Sequence, residues 1–181
     1  MRNAIARAML TRMAKRYDYD VSYMSYLLTE APQAFWRFMR AGALSRHRER
    51  VPVEAAFTVQ LLATMAEDCG PCTQLIVQFA TEAKMPAEQI EAVLTRQLPT
   101  MSSDVALAYR YANAILNRSV DASNAREAVR ARWGEKGLID LALAMQGARM
   151  YPMMKDALGF ALECRRVSVS GRWVDVEKSA A

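Results

Sequence analysis

Apolar residues recur along most of the chain at the spacing of an α-helix. The clearest stripe lies between residues 72 and 83, where apolar side chains at i, i+3, i+4, i+7, i+8 and i+11 share one helix face. Its members are Cys72, Leu75, Ile76, Phe79, Ala80 and Ala83. Proline, glycine, aspartate and serine residues divide the rest of the chain into further segments of helical length. Further helices are predicted over 3–16, after Asp20, and over 32–42, 52–66, 87–94, 105–116, 125–133 and 136–149, with a last one that begins at Pro152.

The end of the chain has a different pattern. Residues 167–170 and 173–176 alternate apolar and polar side chains, and Gly171-Arg172 between them predicts a two-residue turn. A hairpin of this length must pack on the body or on another subunit, and a frayed tail is the alternative interpretation. The sequence therefore predicts an all-α fold, with a single helical domain over 1–165 and a C-terminal arm or tail over 166–181.

Composition excludes several classes of protein. The 181 residues are 52% apolar and 24% charged, with a net charge of +5, which is typical of a folded protein and not of a disordered one. The positive charges are spread along the chain, so no nucleic-acid partner is predicted. No apolar run approaches the ~20 residues that a membrane span requires, so no membrane partner is predicted either.

The first helical segment is basic. It contains five Lys and Arg residues and no acid before Asp18. Arg7 and Arg12 interrupt any apolar region of an export signal, so we expect a cytoplasmic protein. Ile5, Met9 and Met13 recur every four residues and predict the buried face of an ordinary first helix. A transit peptide or a helix lying on a membrane surface is the alternative.

Two of the three cysteines form the motif Cys69-Gly70-Pro71-Cys72 between two apolar helices. Pro71 favours the first turn of a helix, which places both sulfurs near unpaired backbone N–H groups and the positive end of the helix dipole. Such surroundings favour the reactive thiolate, and the spacing allows a short-range disulfide. The motif therefore indicates a redox pair, with two ordinary buried cysteines as the alternative.

A metal or cofactor role for the cysteines is not indicated. Structural zinc requires four ligands, and the other candidates, Cys164 and His47, do not stand in a paired spacing. We therefore predict no bound metal and no cofactor. Thioredoxins carry the same tetrapeptide, but their fold alternates strands and helices, and no strand is predicted before Cys69.

The helix–CxxC–helix arrangement resembles the carboxymuconolactone decarboxylase and alkylhydroperoxidase D superfamily. Residues 51–75 resemble its core helix pair, 83–90 its following break and short helix, and 106–112 and 154–159 its later helices. The resemblance implies an all-helical alkylhydroperoxidase D-like fold, usually assembled as a homo-oligomer.

In the peroxidase branch of that family, a Glu lies twelve residues before the first Cys and a His four residues after the second. The second Cys meets the peroxide and the first resolves it, which implies a peroxidatic Cys72 and a resolving Cys69. The implied partners are a hydroperoxide or disulfide substrate and an external dithiol reductant. In this chain Phe57 and Ile76 occupy the Glu and His positions, so the relay of that branch is missing.

Several polar residues are candidates to replace that relay. Glu54 lies one helical turn from Phe57 and is either a proton relay or a first-turn residue that interacts with the helix dipole. Negative charge on residues 67 and 68, beside Cys69, would raise a thiol pKa. The remaining candidates are Gln60, on the other side of Phe57; Gln74, a hydrogen-bonding or solvated residue; and His47, a surface residue or one that folds over the site.

Three functions follow from these patterns. The first is a thiol-dependent redox protein that reduces hydroperoxides or exchanges disulfides through Cys69 and Cys72. The second is a redox-inactive helical oligomeric or ligand-binding module, because Phe57 and Ile76 are apolar where the relay is polar. The third is a decarboxylase of cyclic lactone acids, which is disfavoured because that branch as a rule lacks CxxC and uses His and Arg residues, while this chain has a single His.

Overall fold

A computed structural model describes residues 2–161 and 166–176. Within these two ranges the chain forms eight α-helices and one antiparallel hairpin, which confirms the all-α prediction. The helices are α1 (Arg2–Tyr17), α2 (Ser22–Glu30), α3 (Pro32–Ala41), α4 (Val53–Ala66), α5 (Gly70–Glu82), α6 (Ala87–Leu94), α7 (Ser103–Leu116) and α8 (Ala122–Ala157). The strands are β1 (Arg166–Val169) and β2 (Arg172–Asp175), and 3₁₀ turns cover Gly42–Arg46 and Leu98–Thr100. In the part of the chain described, no helix is long and apolar enough to cross a membrane.

Helix α4 lies at the centre of the main core. Its sequence is apolar on every side, and such a helix is stable only when it is covered all round. Helices α5, α7 and α8 provide this cover, together with α6. The main core is built on α4–α8 and also includes Val167 and Val169 of the hairpin.

The first three helices form a second apolar cluster, which includes Cys69, Cys72 and Leu75. The prediction that Ile5, Met9 and Met13 form the buried face of α1 is wrong for Ile5 and Met9. Ala6 and Leu10 are buried, whereas Ile5 and Met9 are exposed and Met13 is half-buried against the cluster. The cysteine pair therefore packs with the N-terminal helices rather than within the main core.

Helix α8 covers three of the predicted helices. The predicted interruption at Gly134 is confirmed, since this residue has φ 72° and ψ −173°, a conformation almost restricted to glycine. The predicted helix start at Pro152 is wrong: Pro152 is buried inside α8. Helix packing outweighs the hydrogen bond that proline removes, because α8 contacts α4, α7 and the 42–46 turn along its length.

The C-terminal hairpin forms, so the frayed-tail alternative is wrong for residues 166–175. The Gln74 side chain accepts from Ser168 N–H at 2.6 Å and donates to Ser168 O at 3.1 Å. Ser170 and Gly171 make the turn, rather than Gly171 and Arg172, because a two-residue turn of this kind requires positive φ at both positions, here 49° and 81°. Cys164 and residues 177–181 lie outside the described residues.

Candidate functional site

The CxxC motif lies at the junction of α4 and α5. The chain reverses direction between the two helices through Asp68, which has φ 49°. Pro71 occupies the first turn of α5, as expected, and Cys69 is its N-cap. Cys69 Sγ accepts the backbone N–H of Cys72 at 3.3 Å. A sulfur therefore takes the role that a serine or aspartate oxygen has at most helix starts.

The two sulfurs lie at disulfide distance, with their Cα atoms 5.2 Å apart. Both residues are buried, with 7% of Cys69 and 3% of Cys72 exposed. This arrangement is compatible with redox chemistry.

Two buried threonines fix the motif against α4. Thr73 Oγ1 lies 3.0 Å from the backbone oxygen of Cys69 and 3.1 Å from Thr64 Oγ1. Cys69 N–H in turn donates to the backbone oxygen of Thr64 at 3.4 Å. These bonds hold the start of α5, and with it the cysteine pair, on the end of α4.

A cavity of about 590 Å³ lies beside the motif, between the N-terminal helices and the α4–α5 pair. Cys72 is part of its wall, and most of the wall is apolar. We call it the methionine-lined cavity, because it includes Met9, Met13, Met24 and Met39. Methionine side chains are flexible and polarisable, so they adapt to apolar ligands of varied shape.

The structure separates the relay candidates on α4. Phe57 and Ile76, at the Glu and His positions of the family pattern, both line the methionine-lined cavity with Cys72. Val53, Ala56, Phe57, Gln60 and Thr64 are the α4 residues on its wall. Glu54 lies in the first turn of α4, where a carboxylate is favoured by the helix dipole. Its role as a proton relay stays a prediction.

The other polar candidates have partners elsewhere. Arg149 Nε donates to Glu67 Oε1 at 2.6 Å, which offsets the negative charge beside Cys69. Gln74 holds the hairpin rather than the sulfurs. His47 is at the surface, as expected, and its Nε2 lies 3.6 Å from Asp140 Oδ1.

Three residues near the pair were not predicted as site residues. The hydroxyl of Tyr19 lies 3.6 Å from Cys72 Sγ and 3.3 Å from the hydroxyl of Tyr23. A disulfide sulfur has no hydrogen to donate, so Tyr19 is the donor to Cys72. Lys155 on α8 is fully buried, with Nζ 5.1 Å from the centroid of the Tyr19 ring and 5.6 Å from that of Tyr23.

Burial shifts the pKa values of all three groups. It raises the pKa of Tyr19 to about 12 and raises that of Tyr23 as well. It lowers the pKa of the Lys155 ammonium, against the raising effect of Asp20. Burial also acts to raise the pKa of Asp20, but hydrogen bonds from Ser22 and the charge of Lys155 outweigh it and lower that pKa.

A signal for Lys155 was present in the sequence. Leu141, Ala144 and Ala148 form the inward stripe of α8, and Lys155 continues it at i+14. A lone cation on such a stripe is either buried or extended to the surface, and spacing alone does not decide between them. The approach of Tyr19 to Cys72 had no such signal, because 53 residues separate them.

These observations define an all-α protein with a cysteine pair at disulfide distance beside an apolar cavity. Among the described residues, no group of three or more His, Cys, Asp or Glu side chains is arranged to hold a metal ion. Comparison of the chain with family models, with curated proteins and with solved structures found no match.

Proposed function

We propose that this protein is a thiol-dependent redox enzyme that reduces hydroperoxides through Cys72 and Cys69. The observation that carries the proposal is that the two sulfurs are at bonding distance at a helix N-terminus while Cys72 lines the methionine-lined cavity. An apolar hydroperoxide entering this cavity meets Cys72. The resemblance to the alkylhydroperoxidase D superfamily supports the same assignment and adds a homo-oligomeric assembly to the proposal.

The proposed reaction has two steps at the pair. The Cys72 thiolate attacks the distal oxygen of the hydroperoxide, the O–O bond breaks, and the alkoxide leaves as the alcohol after taking a proton. Cys72 is then a sulfenic acid. The Cys69 thiol condenses with it to form the disulfide and releases water, and an external dithiol reduces the disulfide by exchange.

Slow turnover is expected for this enzyme. Phe57 and Ile76 supply no proton acceptor at the family positions, so ionisation of Cys72 depends on the start of α5 and on other groups around the sulfur. The helix terminus helps because its unpaired N–H groups and dipole favour the thiolate.

The test uses the full chain, reduced and then treated with one equivalent of cumene hydroperoxide. We expect a loss of two hydrogens in the intact mass, localised to Cys69–Cys72 by peptide mapping. The Cys69→Ser variant should instead accumulate a sulfenic acid on Cys72, which dimedone traps, and Cys72→Ser should lose peroxide turnover. Cys164→Ser is the matched control and should react as the unmodified chain does. Unchanged turnover in Cys72→Ser would contradict the proposal.

The methionine-lined cavity supports a second candidate function, a redox-inactive module that binds an apolar ligand. Its volume of about 590 Å³ lies within the range of small-molecule pockets. If the thiols stay reduced after peroxide treatment, this candidate is favoured. Saturable binding of the apolar anion 1-anilinonaphthalene-8-sulfonate, lost in Phe57→Glu with the fold retained, would then support it.

A further inference from the structure

We propose that Tyr19, Tyr23 and Lys155 form a network that stabilises the Cys72 thiolate and donates the proton of the peroxide reaction. This inference rests on the proposed redox function of the cysteine pair. It replaces the missing Glu and His by groups from the α1–α2 region and from α8. Tyr19 touches the reacting atom, whereas Tyr23 and Lys155 act through Tyr19 as positioning residues.

Tyr19 has the geometry of a donor to Cys72. Its O–H donates to Cys72 Sγ at 3.6 Å. The hydroxyls of Tyr19 and Tyr23 are 3.3 Å apart and share one hydrogen bond. Since Tyr19 already donates to sulfur, Tyr23 donates to Tyr19. In the reduced protein the same chain of O–H groups points at the thiolate, and hydrogen bonds to a charged form favour that form.

Lys155 supplies positive charge beneath both rings. Its Nζ donates no hydrogen bond to any residue in the described ranges, and its ion pair with Asp20 Oδ2 is 4.0 Å long. A buried ammonium without hydrogen bonds is costly, and a nearby anion offsets that cost. Asp20 offsets it only in part, because its side chain is 34% exposed. The Cys72 thiolate, 3.6 Å from the hydroxyl of Tyr19, is the second anion of the proposed network.

The ionisable groups that face this network come from every element packed around it. Tyr19, Asp20 and Tyr23 belong to the α1–α2 region, Cys72 to α5, and Tyr151 to α8 one turn before Lys155, with Arg46 of the 3₁₀ turn acting on Tyr151. Burial raises the pKa values of all three tyrosines further above neutral pH, so none of them carries charge there. Among the described residues, Lys155 is the cation placed over the Tyr19 ring.

Protons and electrons balance through Tyr19. When the Cys72 thiolate takes the distal oxygen, it is oxidised to the sulfenic acid and the hydroperoxide is reduced to an alkoxide, which takes the phenol proton of Tyr19 and leaves as the alcohol. The Cys72 thiol releases its proton to solvent when it ionises, and after the reaction the phenolate takes one proton from solvent. One negative charge thus moves from sulfur to the oxygen of Tyr19, whose ring faces the Lys155 ammonium, and it is neutralised when the phenolate is reprotonated.

The test measures the ionisation of Cys72 without any peroxide. The reduced full chain is pulse-alkylated with iodoacetamide between pH 4 and 10, and the modification of Cys72 is read by peptide mass. Tyr19→Phe and Lys155→Met should each raise the pH midpoint of alkylation by about one unit, because each removes a group that favours the thiolate. Lys155→Arg keeps the positive charge and should have the same alkylation midpoint as the unmodified chain. Lys136→Met, on the exposed part of α8, is the matched control and should leave it unchanged.

A second readout is the reduction potential of the pair, measured against a dithiothreitol buffer series. Loss of thiolate stabilisation makes the disulfide harder to reduce, so Lys155→Met should shift the equilibrium towards disulfide by about tenfold. Midpoint and potential both at wild-type values in Tyr19→Phe and in folded Lys155→Met would overturn the proposal. If Lys155→Met fails to fold, Tyr19→Phe decides alone, since it removes one oxygen and keeps the ring. Failure of peroxide to oxidise the pair, with shifted midpoints, would contradict the proposed function instead.

Discussion

Asp140 and Lys155 are both buried ionisable residues on α8, and they are held in opposite ways. Asp140 Oδ2 accepts the backbone N–H groups of residues 49, 50 and 51 at 3.0, 2.8 and 3.2 Å. It ties the segment before α4 to the middle of α8. Within the described ranges, Lys155 Nζ has two tyrosine faces near it and one long ion pair with Asp20.

This difference assigns a structural role to Asp140 and a chemical role to Lys155, on the same helix. A buried carboxylate that meets three N–H groups has its desolvation cost repaid by charge-assisted hydrogen bonds, so it fixes the backbone. The desolvation cost of a buried ammonium without such bonds is not offset in the oxidised protein. Such a cost is tolerated where charge develops during a reaction, and Lys155 lies under the tyrosine that touches Cys72.

Asp140→Ala tests the structural role of this carboxylate and should have the largest effect on stability. It leaves three N–H groups without their acceptor, and we expect the free energy of unfolding to fall by about 4 kcal/mol. Urea denaturation measures this loss of unfolding free energy, provided that the slope against urea concentration is unchanged. Asp140→Asn keeps one acceptor oxygen and should lose about half as much. Equal stability of Asp140→Ala and the unmodified chain would show that residues 49–51 do not depend on this carboxylate.

Gly147→Ala tests the contact that places α8 against the 42–46 turn, between the two buried groups. A Cβ at this position would lie 2.5 Å from Ser45 N and 2.8 Å from Ser45 Cα, both backbone atoms that cannot rotate away. The expected loss of unfolding free energy is about 2 kcal/mol. Gln146→Ala, on the exposed side of the same turn, is the control and should change stability by less than about 0.5 kcal/mol. A tolerated alanine at 147 would mean that α8 can move away from the turn.

Local signals in the sequence predicted the elements well, and the site only in part. Helix α6 matches its predicted range because Pro86 and the apolar stripe through Ile90 and Leu94 both act within a few residues. The disulfide spacing of the cysteine pair is likewise local. The Tyr19–Cys72 contact and the burial of Lys155 depend on how α2 and α8 pack on α5, and periodicity carries no information on which helix faces which. For the same reason the sequence does not predict that α8 continues through Pro152.

Lys155→Met should have the smallest effect on stability and the opposite sign. Methionine has a similar length and no charge to desolvate, so replacing this poorly paired cation should stabilise the oxidised protein by about 1 kcal/mol at pH 7. Urea denaturation of the disulfide form measures it, with Lys136→Met as the exposed control. A loss of stability as large as that of Asp140→Ala would mean that Lys155 is a structural ion like Asp140, and the contrast between them would fail.

The pH dependence of this small gain identifies its cause. Burial lowers the pKa of Lys155 in the folded state below its ordinary value of 10.5, so the unfolded chain binds more protons between the two pKa values. In the unmodified protein, the contribution of Lys155 to the free energy of unfolding should therefore rise with pH through this window. Lys155→Met lacks this contribution. The stability advantage of Lys155→Met should accordingly shrink as the pH rises from 7 towards 10. An advantage that stays constant over this range would come from better packing of methionine, and not from removal of a buried charge.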